Sequence, residues 1–337
     1  MDQGEGTSYK CGWTDTLGFK VDHDPVLNTT KLSAPKHIAK LKEFVKDDVQ
    51  FSPKLPHMKH AVQEEPCRIP DENDPDYADF INRKQFMYQA CGAVGHIAKI
   101  RHEVKTANIA NSRFSHAPTA QSVKNMKLCI FYLLNTIDDG LTFGHPDATP
   151  DHLVWHASFP DSYELDINKR IMAYYCAVDG NLSLVDRSTI GMLHFFGGAA
   201  IDSTSTRQHS QARTVHDSEA FSGSLCTAVS RVYAGILTEL GIDQSVPTTI
   251  FSDSRSTMLA ARSQSSLKKS LYILKHVLFM IEGSEAGEWK FYGCKGKINP
   301  ADPFTKLLEL TPWMAAKIYY MGGPPSVGSP FLPLVVT

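Results

Sequence analysis

Four carboxylates in the second half of the chain stand where secondary-structure elements are expected to begin or end: Asp179, Glu219, Asp253 and Asp302. Asp179 follows the β-leaning run YYCAV and precedes Gly180-Asn181, which read as a turn. Carboxylates brought close together repel, and each then resists ionising. Divalent cations relieve that repulsion. Mg²⁺ prefers hard oxygen ligands and completes its shell with waters and phosphate oxygens. Two such ions about 3.5–4 Å apart can activate a water and stabilise the leaving oxygen of a phosphodiester. Taken singly, any one of these acids is as well explained as a helix cap or a solvated charge. The order Asp-Glu-Asp-Asp at four fitting element ends is what raises the metal-site reading.

The elements that must position them follow from periodicity. Residues 171–178 and 188–202 read as strands, the second with Ile190, Met192, His194 and Phe196 on one face and Gly197-Gly198 placed for a tight turn or bulge. Between Ser218 and Leu240 an apolar stripe of Phe221, Leu225, Val229, Val232, Ile236 and Leu240 predicts a long helix, ended by Gly241, with Glu219 in its first turn, where the helix dipole favours negative charge. VPTTIFSD predicts a buried strand, SLKKSLYILKHVLFMIE a helix, EWKFYG a strand, and NPADPFTKLLEL a final helical turn or two. Upstream, residues of about 80–136 carry helical spacing, with Pro118-Thr119 opening one helix, and the proline- and acid-rich 41–80 reads as a linker. The whole is an α/β layout around a mixed sheet.

Composition narrows the classes. At 337 residues the chain can hold two domains, and a 42% hydrophobic, 21% charged make-up is that of a globular protein. A formal net charge of −2 excludes a globally basic nucleic-acid binder but leaves room for local basic patches. Seven cysteines without a CxxC pair or a zinc-spaced Cys/His cluster predict reduced thiols, an intracellular setting (cytoplasm or nucleus) and no structural zinc. The opening MDQGEGTSYK has no basic region followed by an apolar run, so no signal peptide is expected, and LYILKHVLFMI is too short and too polar to span a membrane. GCKGK lacks P-loop spacing, no GxSxG elbow occurs, and His194 reads as a packed strand histidine.

The C-terminal half resembles the RNase H domain of copia-type long-terminal-repeat retrotransposon Pol polyproteins. RSTIGMLHFFGGAAI is similar to that family's RRSTSGYVFFLGGAAI, and TRQHSQARTVHDSEAFSG to its SKKQ…STAEAEYVA, which implies that Glu219 is the catalytic glutamate. FSDSRSTMLA resembles SDNQSAIALA and places Asp253; INPADPFTKLL resembles NIADIFTKPL and places Asp302; YCAVDGN stands where the family has YSDADWA and places Asp179. Upstream, LGFKVDHDPVLNTTKLSAPKHIAKLKEF, QFMYQACGAVGHIAKIRHEV and MKLCIFYLLNTIDDGLTF resemble, in order, stretches of the same polyprotein's reverse transcriptase thumb and connection. The resemblance is colinear over most of residues 17–310.

It implies a fold: an RNase H-like α/β domain, a mixed five-stranded sheet with helices, at 170–312. This would follow a thumb-like remnant and linker at 1–75 and a mainly helical connection region at 76–169, and precede a Pro/Gly-rich tail at 313–337. The implied activity is two-metal hydrolysis of the RNA strand of RNA–DNA hybrids, with Asp179, Glu219, Asp253 and Asp302 holding two Mg²⁺ (or Mn²⁺). The implied partners are the hybrid and the polymerase part of the same polyprotein, with no membrane. Between Phe251 and Leu310 nine Lys/Arg face six Asp/Glu, and Arg207, Lys268, Lys269, Lys295 and Lys297 are the candidates for phosphate contacts.

Departures from the family pattern bear on activity. The YVDD motif of the polymerase palm is absent, so reverse transcription is not expected of this chain. TRPDI has become IRHEV, keeping Arg101, and KHIDIRYHFIRE has become LYILKHVLFMIE. The rival expectation is therefore an inactive or domesticated remnant that binds nucleic acid or protein. A DDE-type integrase is disfavoured, since those place the glutamate last.

Overall fold

The computed structural model describes residues 17–58, 68–144, 172–178, 187–209, 212–262, 273–294, 296 and 299–322. Its first part opens with β1 (Lys20–Asp24) and β2 (Thr29–Ser33), followed by the short helix α1 (Pro35–Lys40). Three longer helices come next: α2 (Tyr77–Ile97), α3 (Lys105–Ser112) and α4 (Ala120–Asn135). The Pro118-Thr119 signal is realised as a capping box, Thr119 accepting from the Ser122 backbone amide while the Ser122 hydroxyl accepts from the Thr119 amide. Strand β3 (Gly140–Phe143) then returns to pair with β2, giving an antiparallel sheet β1-β2-β3.

The second part is built on β4 (Met172–Val178), β5 (Thr189–Phe196), β6 (Ala199–Arg207), β7 (Thr248–Ser252) and β8 (Trp289–Gly293). They form one sheet in the order β6-β5-β4-β7-β8, with β6, β5 and β4 antiparallel and β4, β7 and β8 parallel. Residues 188–202 form a hairpin that turns at the expected Gly197-Gly198, both in the left-handed region (φ 63° and 82°) that a two-residue turn of this twist requires. Helices α5 (Val215–Glu239), α6 (Arg255–Arg262) and α7 (Leu274–Glu285) are inserted between the strands, and α8 (Leu310–Met321) closes the described chain. Gly241 (φ 79°) ends α5: its amide donates to Thr238 and that of Ile242 to Leu237, the paired bonds of a Schellman motif.

Alternation along the strands serves two cores. Ala173, Tyr175, Ile190, Met192, Ile250, Trp289 and Phe291 face α5–α7. Leu193, Phe195, Ala200 and Phe251 join residues of α1, α2, α4 and α8 in a single cluster. The upstream helices and the sheet thus share one apolar core. Residues 313–321, read from sequence as the start of a tail, belong to α8, whose Trp313 and Tyr320 are buried in that cluster.

Helix α5 corrects the sequence reading. Its inward face is Ala220, Ser222, Gly223, Ser224, Cys226, Thr227 and Ser230, while Leu225, Val232, Ile236 and Leu240 are 40%, 60%, 47% and 70% exposed. The facing sheet is already filled by large side chains such as Tyr175, Met192 and Trp289, so the helix that lies against it does so through small ones. The buried hydroxyls are satisfied within the helix: Thr227 donates to the Gly223 carbonyl (3.1 Å) and Ser230 to that of Cys226 (2.8 Å). Of the predicted inward set of β5, Ile190, Met192 and His194 do face this helix, His194 lying 3.2 Å from the Cys226 carbonyl through Nε2.

The joint between the two parts contains a buried histidine. His102 Nε2 donates to the Ala200 carbonyl (3.1 Å), so Nδ1 is left to accept from the Ser203 hydroxyl (2.8 Å). Burial, with Lys105 nearby, pushes its pKa down to about 3. The unfolded chain takes up a proton at this histidine below its ordinary value near 6.5, whereas the folded chain does not until about 3. Stability from this group is therefore fully present above pH 6.5 and is lost as pH falls toward 3, at up to ~1.4 kcal/mol per pH unit. Urea titrations at pH 7.5, 5.5 and 4.5 should show that loss, and His102→Gln should flatten it.

Candidate active site

The C-terminal ends of the parallel strands β4 and β7 lie side by side, Tyr175 of β4 opposite Ser252 of β7. Asp253 follows β7 directly. Asp179 is next in sequence after β4 and lies outside the described residues, as do Lys268, Lys269, Lys295 and Lys297. Glu219 comes to this edge from α5. It sits one turn inside the helix and is 5% exposed; the first-turn acid is Asp217, so the dipole argument made for Glu219 applies to Asp217 instead. Asp302 opens a 3₁₀ turn (Asp302–Phe304) that reaches the site from beyond β8.

Asp253 and Asp302 act on each other at the end of β7, and Glu219 acts with them on the groups beside Asp253. Burial first, then the negative charge of Asp302, pushes the Asp253 carboxyl above its ordinary value, against the opposing pull of Asn299 and Lys306. The Cys294 thiol is pushed up by burial and then by Asp253, Asp302 and Glu219 together. The Tyr175 hydroxyl lies in the field of both Glu219 and Asp253. Lys306 bridges to Asp302 at 2.8 Å.

Two positioning contacts were not legible as site features in the sequence. Asn299 is 3% exposed and donates through Nδ2 to the Tyr175 carbonyl (3.0 Å) and to Asp253 Oδ1 (3.3 Å), while its Oδ1 accepts from the Ala301 amide (3.0 Å). It ties the β4 edge, Asp253 and the Asp302 turn together. Its place in NPADPFTK was the available signal, an Asn three residues before a site acid in a turn. Gly296 lies over Asp253: a Cβ there would come within 2.9 Å of Oδ2, so a side chain at this position would push the carboxylate aside. From upstream, Thr106 of α3 donates to the Pro303 carbonyl (2.6 Å) and steadies the same turn.

Hard carboxylate oxygens and a like-charge pair at Asp253 and Asp302 suit a divalent cation in donor type and charge. Among the described residues, however, no group of three or more His, Cys, Asp or Glu side chains is disposed to hold a metal ion. Arg207, at the exposed end of β6, lies opposite Thr189 on the same edge of the sheet. Among the described residues no helix is long and apolar enough to cross a membrane.

No family model and no curated protein matches this chain. Among solved structures it is similar to LC11-RNase H1, isolated from compost by a metagenomic approach, at 15% identity over 40% of this chain and 92% of that one (TM-score 0.32). It is also similar to RNase H1 from the halophilic archaeon Halobacterium salinarum NRC-1, at 12% identity over 39% and 90% of the two chains (TM-score 0.29). Similarities of this size say nothing of chemistry, which rests on the residues above.

Proposed function

We propose that this chain is a retrotransposon-derived ribonuclease H-type nuclease that hydrolyses the RNA strand of RNA–DNA hybrids. The observation that supports the reading is the like-charge pair of Asp253 and Asp302 at the end of β7, with Cys294 beside it also in the field of Glu219, and Asp179 next in sequence after the neighbouring strand. The mixed five-stranded sheet flanked by helices is the architecture that the family resemblance implies. Asp179, Glu219, Asp253 and Asp302 would hold two Mg²⁺ ions, which when bound supply an activated water and charge stabilisation for the leaving 3′-oxygen. Asn299 keeps Asp253 oriented toward that position, and Lys306 balances Asp302 until the cations are present. An RNA strand would be selected through its 2′-hydroxyls and the shape of its minor groove.

A second reading, a binding fold without catalysis, is favoured by one observation: the described carboxylates do not close into a metal-holding group. A substrate panel separates the two. RNA–DNA hybrid, double-stranded RNA and double-stranded DNA, each end-labelled on one strand, are incubated with the protein in Mg²⁺ or Mn²⁺. The nuclease reading expects cleavage of the hybrid's RNA strand alone. Intact hybrid that is nevertheless retained by the protein would favour the binding fold.

A further inference from the structure

Helix α5 carries an apolar row that its own sheet does not use. Leu225, Val232, Ile236 and Leu240 recur at steps of seven and four residues, on the side opposite the Ala220, Gly223, Thr227 and Ser230 face that meets the sheet. Among the described residues nothing covers this row: Val232 and Leu240 are 60% and 70% exposed. The four side chains leave roughly 400 Å² of apolar surface open, a patch of the size that marks an interaction site. Beside them runs a second row, Arg231, Gly235 and Glu239, at four-residue steps. Gly235 is exposed, and a Cβ added there would meet no atom within 4 Å. Glycine in mid-helix weakens a helix relative to alanine, and no described neighbour requires it here. Arg231 is fixed at one end of the row, its Nε donating to Glu288 (2.6 Å) and its guanidinium lying over the Phe279 and Trp289 rings. Glu239, opposite in charge, is exposed at the other end.

We infer that this face of α5 pairs with the same face of a second copy of the chain, the two helices antiparallel and crossing at Gly235. The charged row is the reason for choosing a second copy. A two-fold axis at Gly235 sets each residue opposite the one equally far on the other side. Arg231 of each copy then meets Glu239 of the other, about 6 Å along the helix from the crossing. A different protein would have to reproduce that reversed charge order, whereas a copy has it by symmetry. Val232 falls between Ile236 and Leu240 of the other copy, so the apolar rows interlock on one side of the contact and the ion pairs close the other. Glycine at the crossing lets the axes approach the short end of the usual 8–10 Å, which brings the charged side chains within reach. Both rows together, with a rim of Thr238, bury about 1,200 Å² in total, at the lower bound for a specific interface, so the dimer is a reversible one. The crossing lies about 24 Å along α5 from Glu219, and the pairing holds whether or not the chain cuts nucleic acid.

Sedimentation velocity of the full chain from about 1 to 100 μM, the range in which a small interface associates, tests the pairing. The parent should pass from monomer to dimer across it. Val232→Glu sets a charge in each half of the contact and should weaken association at least ~100-fold. Its thermal midpoint should match the parent's, since the position is exposed. Glu239→Lys places a lysine against Arg231 twice per dimer and should weaken association about tenfold. Gly235→Cys should yield a covalent dimer on mild oxidation, where the parent and Lys124→Cys, exposed on α4, should not. A parent that stays monomeric throughout would overturn the pairing, whether another stretch of the chain or a different protein covers the row. A dimer that Val232→Glu leaves intact would put the contact elsewhere and overturn it equally. One that Glu239→Lys leaves intact would rule out the antiparallel crossing.

Discussion

Asp253→Asn is expected to lower cleavage of the RNA strand by roughly 10³-fold, since a cation held by this carboxylate supplies several kcal/mol of charge stabilisation and each ~1.4 kcal/mol is a factor of ten. The same change should leave the fold at least as stable. The carboxyl of Asp253 is pushed up by burial and by Asp302, so its ionised form costs stability at neutral pH. For a raised carboxylate the sign is that folded-state protonation persists to higher pH than in the unfolded chain, and stability falls as pH rises through that window. Asparagine removes the charge and keeps an oxygen to accept from Asn299. Activity lost together with an equal or higher thermal midpoint would mark Asp253 as a residue maintained for chemistry at the expense of stability. An active Asp253→Asn enzyme would remove it from the site.

Arg101→Met should be the most damaging single change to the fold, at about 3–5 kcal/mol. The Arg101 side chain is fully buried and donates to Glu103 (2.5 Å), to the Thr136 carbonyl (2.7 Å) and to the Thr136 hydroxyl (2.6 Å). Asp139, 3.8 Å from the same guanidinium, is in turn held by Lys317 of α8, which also donates to the Tyr132 hydroxyl. Removing the arginine strands a fully buried Glu103 carboxylate that already has one oxygen, Oε2, without a hydrogen bond among the described residues. Replacing both partners removes the uncompensated charge, so Arg101→Met/Glu103→Met should recover most of the loss. Urea unfolding of the parent, the single and the double variants gives the coupling directly. A single variant within 1 kcal/mol of the parent would show that the network carries little.

What the sequence disclosed follows the range of the interactions involved. The Gly197-Gly198 hairpin, the Thr119 cap and the Gly241 helix end depend on residues a few positions apart, and each was legible. The sheet β1-β2-β3 was not, because it joins Leu32 to Leu141 across more than a hundred residues that no local pattern links. The apolar periodicity of α5 correctly announced a helix but pointed to the wrong face. Which stripe is buried depends on the bulk already present on the opposing sheet. For the site, Asp253 stands directly after a strand and Asp302 opens a 3₁₀ turn, positions that local sequence discloses, whereas Glu219 lies one turn inside α5 and not in its first turn. Asn299 acts through contacts made only in the folded chain, with Tyr175 and Asp253, and its one sequence mark is its place in NPADPFTK.

The central claim is that these carboxylates cut RNA paired with DNA. The most direct test follows one RNA-labelled hybrid with the parent and Asp253→Asn proteins, in Mg²⁺ and again after EDTA. The account predicts internal cuts in the RNA by the parent in Mg²⁺ only, with none by the variant or in EDTA. Cleavage that survives either EDTA or the substitution, or an intact hybrid after incubation with well-folded parent, would contradict it.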